Sequence, residues 1–121
     1  MTIQKSAEDY LEAILALGAE SGDVRSVDVS RYLSVTRASV SRAMSGLREN
    51  GYVTMGAGGK LGLTDSGREI AERIYERHKV LTTWLERIGV SRETAEQDAC
   101  KIEHDLSPET FDRLKEFIGG M

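Results

Sequence analysis

Apolar side chains at Tyr10, Leu11, Ile14, Leu15 and Leu17 recur at helical spacing, with Ser6 ahead of them as an N-cap. This pattern predicts a helix over residues 6–17, ended by a turn at Gly18 and Gly22. A short helix over residues 27–33 follows, with Val29 and Leu33 inward, then a tight connection through Ser34-Val35-Thr36. The next helix starts at Arg37 and carries Val40, Met44 and Leu47 on one face. Asn50-Gly51 ends it, because either residue accepts the left-handed cap conformation. Tyr52-Val53-Thr54-Met55 and Leu61-Gly62-Leu63-Thr64 read as two strands of a hairpin around the Gly-rich turn 56–60.

Thr64 or Asp65 then caps a helix that reaches about Ile88, with Ile70, Ile74, Val80, Leu81, Trp84, Leu85 and Ile88 as its apolar stripe. At 1.5 Å per residue this helix is about 36 Å long, and in a short chain it needs a surface to pack on, for which a second copy is one candidate. Gly89 closes it. Ser91 caps a helix from Arg92 to Asp105 with Ala95, Ala99, Ile102 and Leu106 inward. Ser107-Pro108-Glu109 starts the last helix, which carries Phe111, Leu114, Phe117 and Ile118. Gly119-Gly120-Met121 reads as a frayed end.

The expected fold is therefore mostly α with a small β-hairpin wing. Residues 1–64 form a winged helix-turn-helix domain, and residues 65–121 form a helical domain. At 121 residues, with 40% hydrophobic and 30% charged residues, the chain is an ordinary globular protein, and one that a partner subunit would help. No apolar run approaches the roughly 20 residues that span a bilayer, and Met-Thr-Ile-Gln-Lys lacks a signal-peptide core, so a cytoplasmic protein is expected. With Cys100 as its only cysteine, the chain has no intrachain disulfide.

Charge changes the picture once it is sorted. The net charge of −4 argues against a nucleic-acid binder. Yet residues 25–60 hold Arg25, Arg31, Arg37, Arg42, Arg48 and Lys60 against Asp28 and Glu49, and this is the one basic part of the chain. It coincides with the helix-turn-helix and wing. The second helix of such a pair enters the major groove, and its N-terminal residues reach base edges. Candidate DNA contacts are Thr36, Arg37, Ala38, Ser39, Ser41 and Arg42 on that helix, with Arg25, Arg48 and Lys60 from the rest of the basic segment. Solvated arginines on an exposed helix are the competing reading. A phosphate loop at 56–60 is rejected, since Leu61 follows Lys60 and no helix opens there.

Polar residues also interrupt the apolar stripes. His78 sits between Ile74 and Leu81, as a hydrogen-bonded core histidine or as a ligand. Cys100, Glu103 and His104 fall on one helical turn, where a thiolate, a carboxylate and an imidazole form most of a transition-metal site. A small buried Cys beside a solvated Glu-His pair reads equally well. Asp9 and Glu12, three apart beside Tyr10 and Leu11, are by themselves a surface acid pair.

Glu8-Asp9-Tyr10-Leu11-Glu12, the helix-turn-helix and wing, Arg77-His78, and Asp98-Ala99-Cys100-Lys101-Ile102-Glu103-His104 with Leu106-Ser107 resemble the metal-responsive repressors related to the diphtheria toxin repressor and the manganese transport regulator. The likeness covers nearly the whole chain. It implies a homodimeric winged-helix repressor that binds a pseudo-palindromic operator in double-stranded DNA when loaded with Mn²⁺ or Fe²⁺, controlling metal-uptake or metal-homeostasis genes. It implies metal ligands at Asp9, Glu12, His78, Cys100, Glu103 and His104, and a dimer interface on the helices after residue 64.

Two departures from the family stand out. The manganese branch has a glutamate at the position of Cys100, and the iron branch has a methionine at that of Asp9. The donor set is thus a hybrid, with oxygen ligands suited to Mn²⁺ and a thiolate that favours Fe²⁺, Co²⁺ or Zn²⁺. The third, SH3-like domain of the iron branch is not expected. Only His78 remains of that branch's accessory site, with Thr82 and Glu96 at two other positions. A metal ion joining the first helix to the dimer helices would fix the spacing of the two recognition helices. Metal and DNA would then favour each other's binding.

Three other classes of function remain to be weighed. A winged-helix regulator sensing a non-metal signal keeps the DNA reading and leaves the polar triplet solvated. A helical metalloenzyme fits less well: a ferritin-like site needs repeated Glu-x-x-His pairs, and here one adjacent Glu-His pair occurs, with no nucleophile-base pair. An enzyme is therefore not expected. A purely structural dimer module leaves the basic segment unexplained.

Overall fold

The computed structural model describes residues 5–119. The N-terminal residues 1–4 and the Gly120-Met121 end read as frayed lie outside the described residues. The elements are α1 (Lys5–Ser21), α2 (Ser26–Leu33), α3 (Arg37–Glu49), β1 (Val53–Met55), a short 3₁₀ turn (Ala57–Gly59), β2 (Leu61–Leu63), α4 (Asp65–Arg87), α5 (Arg92–Ile102) and α6 (Pro108–Gly119). This is the order the hydrophobic pattern predicts. The chain forms two compact units, Met1–Glu72 and Arg73–Met121, and their boundary falls within α4.

In the first unit, Leu11, Ala13 and Ile14 of α1, Val29 of α2, and Val40, Met44 and Leu47 of α3 form one buried cluster with Val53 and Leu61 of the hairpin. Helix α1 runs four residues past the predicted end. Gly18 is accommodated inside it at a propensity cost of about 1 kcal/mol. Gly22 (φ +82°) alone takes the left-handed terminating position, its N–H donating to the Gly18 carbonyl at 3.0 Å. At the end of α3 the same division holds: Asn50 stays right-handed (φ −85°) and Gly51 takes φ +82°. Thr36 caps α3 by accepting from the Ser39 N–H at 3.1 Å.

Strands β1 and β2 pair antiparallel, Val53 with Leu63, Thr54 with Gly62 and Met55 with Leu61. Periodicity did not announce a further bridge from Val24, whose carbonyl accepts from the Leu61 N–H at 2.7 Å. Thr64 caps α4: its Oγ1 accepts from Gly67 N–H at 3.1 Å and donates to the Gly51 carbonyl at 2.6 Å.

In the second unit, Ile74, Leu81 and Leu85 of α4, Ala95 and Ala99 of α5, and Phe111 and Ile118 of α6 are buried. Helix α4 stops at Arg87, and Gly89 (φ +103°) turns the chain. Ile88 and Phe117, both expected on apolar faces, are 57% and 70% exposed. Helix α5 stops at Ile102, three residues before the predicted end. No described helix is long and apolar enough to cross a membrane.

Candidate metal centre and nucleic-acid interface

The six candidate ligands belong to three helices or their ends. Asp9 and Glu12 lie three apart on α1, so they share one side of that helix. Glu12 is buried, and Asp9 is half-buried. The other four gather in the second unit around Glu103, which is fully buried. Its Oε2 lies 3.0 Å from His78 Nδ1, and its Oε1 lies 3.5 Å from His104 Nε2. The Cys100 sulfur lies within 4.8 Å of its carboxylate. A neutral His78 that donates from Nδ1 to an ionised Glu103 keeps the lone pair on Nε2. The His104 side chain is 2% exposed, and Cys100 is half-buried. The reading of Glu103 and His104 as a solvated surface pair therefore does not describe this chain.

Cys100 and Glu103 meet because α5 places them three apart, while His78 arrives from α4. A buried carboxylate is costly unless a cation or several hydrogen bonds satisfy it. Two imidazoles and a thiol around such a carboxylate are donors that a divalent transition ion accepts, with hard and soft atoms mixed.

The candidate DNA contacts divide into two kinds. Arg37, Ala38, Ser41 and Arg42 are exposed and follow one another around the outer face of α3, opposite Val40, Met44 and Leu47. The remaining candidates already hold the fold. Thr36 Oγ1 caps the helix and donates to Ser39 Oγ at 2.9 Å. Arg25 Nε donates to the Gly58 carbonyl at 3.1 Å, tying the turn of the hairpin to the start of α2. Lys60 Nζ pairs with Asp23 at 3.0 Å. Arg48 Nη1 lies 3.9 Å from Met55 Sδ on β1. The Lys60 ammonium, by hydrogen bond and then by charge, holds the Asp23 carboxyl below its usual range, and Arg25 adds to this.

Two residues in these networks have no role assigned from the sequence. Asp23 shows no signal there beyond its charge. Arg77 does carry one, since it falls at an inward position between Ile74 and Leu81, and it is 6% exposed.

The chain matches known proteins along nearly its whole length. Residues 2–58 match the family described as iron dependent repressor, N-terminal DNA binding domain. Residues 64–121 match iron dependent repressor, metal binding and dimerisation domain. The chain is 37% identical over 113 residues to the HTH-type transcriptional regulator MntR of Geobacillus kaustophilus, which covers 93% of this chain and 80% of that protein. Among solved structures it is similar to IdeR of T. acidophilum (TM-score 0.84, 32% identity, 98% of this chain, 55% of that one). It is also similar to a manganese-dependent transcriptional repressor in complex with manganese (TM-score 0.86, 28% identity, 93% and 52%). It thus spans about half the length of these two solved chains.

Proposed function

Because the chain belongs to the iron dependent repressor family of metal-dependent transcriptional regulators, we propose that it represses metal-uptake or metal-homeostasis genes in response to Mn²⁺ or Fe²⁺. The proposed ligands are Asp9, Glu12, His78, Cys100, Glu103 and His104. The observation that carries this reading is the fully buried Glu103 with His78 at 3.0 Å and His104 at 3.5 Å. Bound there, a divalent ion supplies the positive charge that a buried carboxylate needs. Cys100 as thiolate favours Fe²⁺, and also admits Co²⁺ or Zn²⁺. Asp9 and Glu12 favour Mn²⁺.

Arg37, Ala38, Ser41 and Arg42 read the operator from the outer face of α3. Arg suits guanine, and Ala suits the thymine methyl. Thr36 and Ser39 set the start of that helix, and Arg25, Arg48 and Lys60 support the wing beside the DNA. The exposed Ile88 and Phe117 support a homodimer through the second unit, which would give a two-half-site, pseudo-palindromic operator. Metal and DNA bind with positive coupling in both directions.

The deciding experiment is a DNA-binding titration in metal-free buffer against Mn²⁺, Fe²⁺, Co²⁺ and Zn²⁺. The DNA would come from upstream of the organism's own metal-transporter genes. Operator affinity should rise with at least one ion, and Glu103→Ala should remove that rise while leaving the dimer intact. Equal affinity with and without every ion would sink the proposal in favour of a winged-helix regulator of another signal.

A further inference from the structure

Arg77 immediately precedes His78 in the chain, and it is among the buried charged residues, at 6% exposure. Its Nη1 donates to the backbone carbonyl of Glu103 at 2.9 Å and to that of Leu106 at 2.8 Å. Its guanidinium carbon lies 5.1 Å from the centroid of the Phe111 ring, so α6 covers the cation from its face. All these partners belong to the second unit.

A guanidinium stays protonated and has no lone pair to give a metal, so Arg77 is no ligand. Its place explains a different feature. Helix α5 ends at Ile102; the Glu103 N–H still donates to the Ala99 carbonyl at 3.0 Å, but the Asp105 N–H bonds Ile102, three residues back, so the regular ladder stops there. The last carbonyls of a helix lack internal partners and carry the negative end of its dipole. Arg77 meets that need at the carbonyl of Glu103, the C-cap of α5, and also ties down the carbonyl of Leu106 in the connection to α6. Glu103 is therefore gripped twice by consecutive residues of α4: its carbonyl by Arg77, and its carboxylate by His78 at 3.0 Å. Consecutive helical residues point about 100° apart, so the two grips fix both the position and the rotation of residue 103.

We infer that Arg77 is a positioning residue of the metal centre. It fixes the backbone at Glu103, and through it the aim of the Glu103 carboxylate and the His104 imidazole, before any ion binds. The inference rests on the metal-centre reading above. Ligands held in place lose less freedom on binding, so Arg77 raises metal affinity without touching the metal. Groups of this kind around a metal site change affinity by about 10–100-fold when removed.

The test uses the full chain. Metal-free wild type, Arg77→Met, Arg77→Lys and Ile118→Ala are titrated with Mn²⁺ and Co²⁺, and the Co²⁺ absorption spectrum is recorded. Thermal unfolding in chelator is measured alongside. Ile118 is buried in the same unit and takes no part in the Arg77 and His78 hydrogen bonds, so Ile118→Ala reports on lost stability. Arg77→Met should bind both ions about 10–100-fold more weakly and change the Co²⁺ bands. Ile118→Ala should keep wild-type affinity despite a lower Tm. Arg77→Lys keeps the charge without the planar fork and should fall about tenfold, and it decides the matter if Arg77→Met does not fold. Wild-type affinity in the deciding Arg77 variant, or an equal loss in Ile118→Ala, overturns the positioning role and leaves the metal centre standing. Wild type that binds neither ion overturns the metal centre itself, and the positioning role with it.

Discussion

Gly67, in the first turn of α4, faces the carbonyl of Tyr52 so closely that a β-carbon there would lie 2.0 Å from its oxygen. The same carbonyl accepts from the Thr64 N–H at 3.1 Å, so it cannot move aside without breaking the cap of α4. Gly67→Ala should therefore destabilise the first unit by about 3 kcal/mol, lowering Tm by roughly 10 °C. Differential scanning calorimetry reads this directly. A change within 1 °C or so would show that the close approach relaxes cheaply.

The tie between Lys60 and Asp23 has a defined pH dependence. The folded Asp23 carboxyl sits below its usual value because Lys60 bonds it and then because of the Lys60 charge. A depressed folded pKa means that the tie is complete above the usual aspartate range and is lost as pH falls through the folded value. Amide exchange at 58–61 should be insensitive to the tie from pH 7 to 5, and should show its loss only at lower pH. Asp23→Asn should remove that acid step. An Asp23 carboxyl resonance titrating at the usual aspartate value would contradict the assignment.

Arg42 and Arg25 should separate in a salt titration of operator binding. Arg42→Ala should lower affinity, and where Arg42 bonds a phosphate it should also reduce the slope of log K against log salt by about 1. Arg25→Ala loosens the turn that Arg25 holds through the Gly58 carbonyl. It should lower affinity with the slope unchanged. A slope that falls by about 1 for Arg25→Ala would instead make Arg25 a direct phosphate ligand.

Cys100→Glu replaces the one soft donor of the proposed set with a hard one. The ratio of Mn²⁺ to Zn²⁺ affinity should rise about tenfold, equivalent to about 1.4 kcal/mol. Competition titrations measure it. An unchanged ratio would remove Cys100 from the ligand set.

Much of the fold was legible because its elements are local. Apolar spacing located all six helices among the described residues, and Thr36, Ser91 and Pro108 marked starts that stand where caps and first-turn residues belong. Misjudged helix ends had tertiary causes. Gly18 reads as a stop by propensity, but α1 packs Leu11 and Ile14 into the first unit's core and continues through it. Helix α5 reads as continuing to Asp105, but the Asp105 N–H bonds the Ile102 carbonyl three residues back, at 3.0 Å, and the turn after Ile102 is held from α4 by Arg77. Ile88 and Phe117 read as inward by period and are exposed, since periodicity assigns a face without saying what covers it.

The candidate chemistry divides in the same way. By itself the sequence determined which donor types exist and which share a helical turn, because spacing of three and four residues is a property of the helix. It also determined that the basic residues lie in one segment, because charge is additive along the chain. Only the tertiary structure decided that His78 meets Glu103, that Asp23 holds Lys60, and that Arg25 holds Gly58. Each of these pairs is 25 or more residues apart. No local rule specifies such meetings. Burial of the apolar stripes does, by bringing elements together at one register and leaving their polar residues face to face.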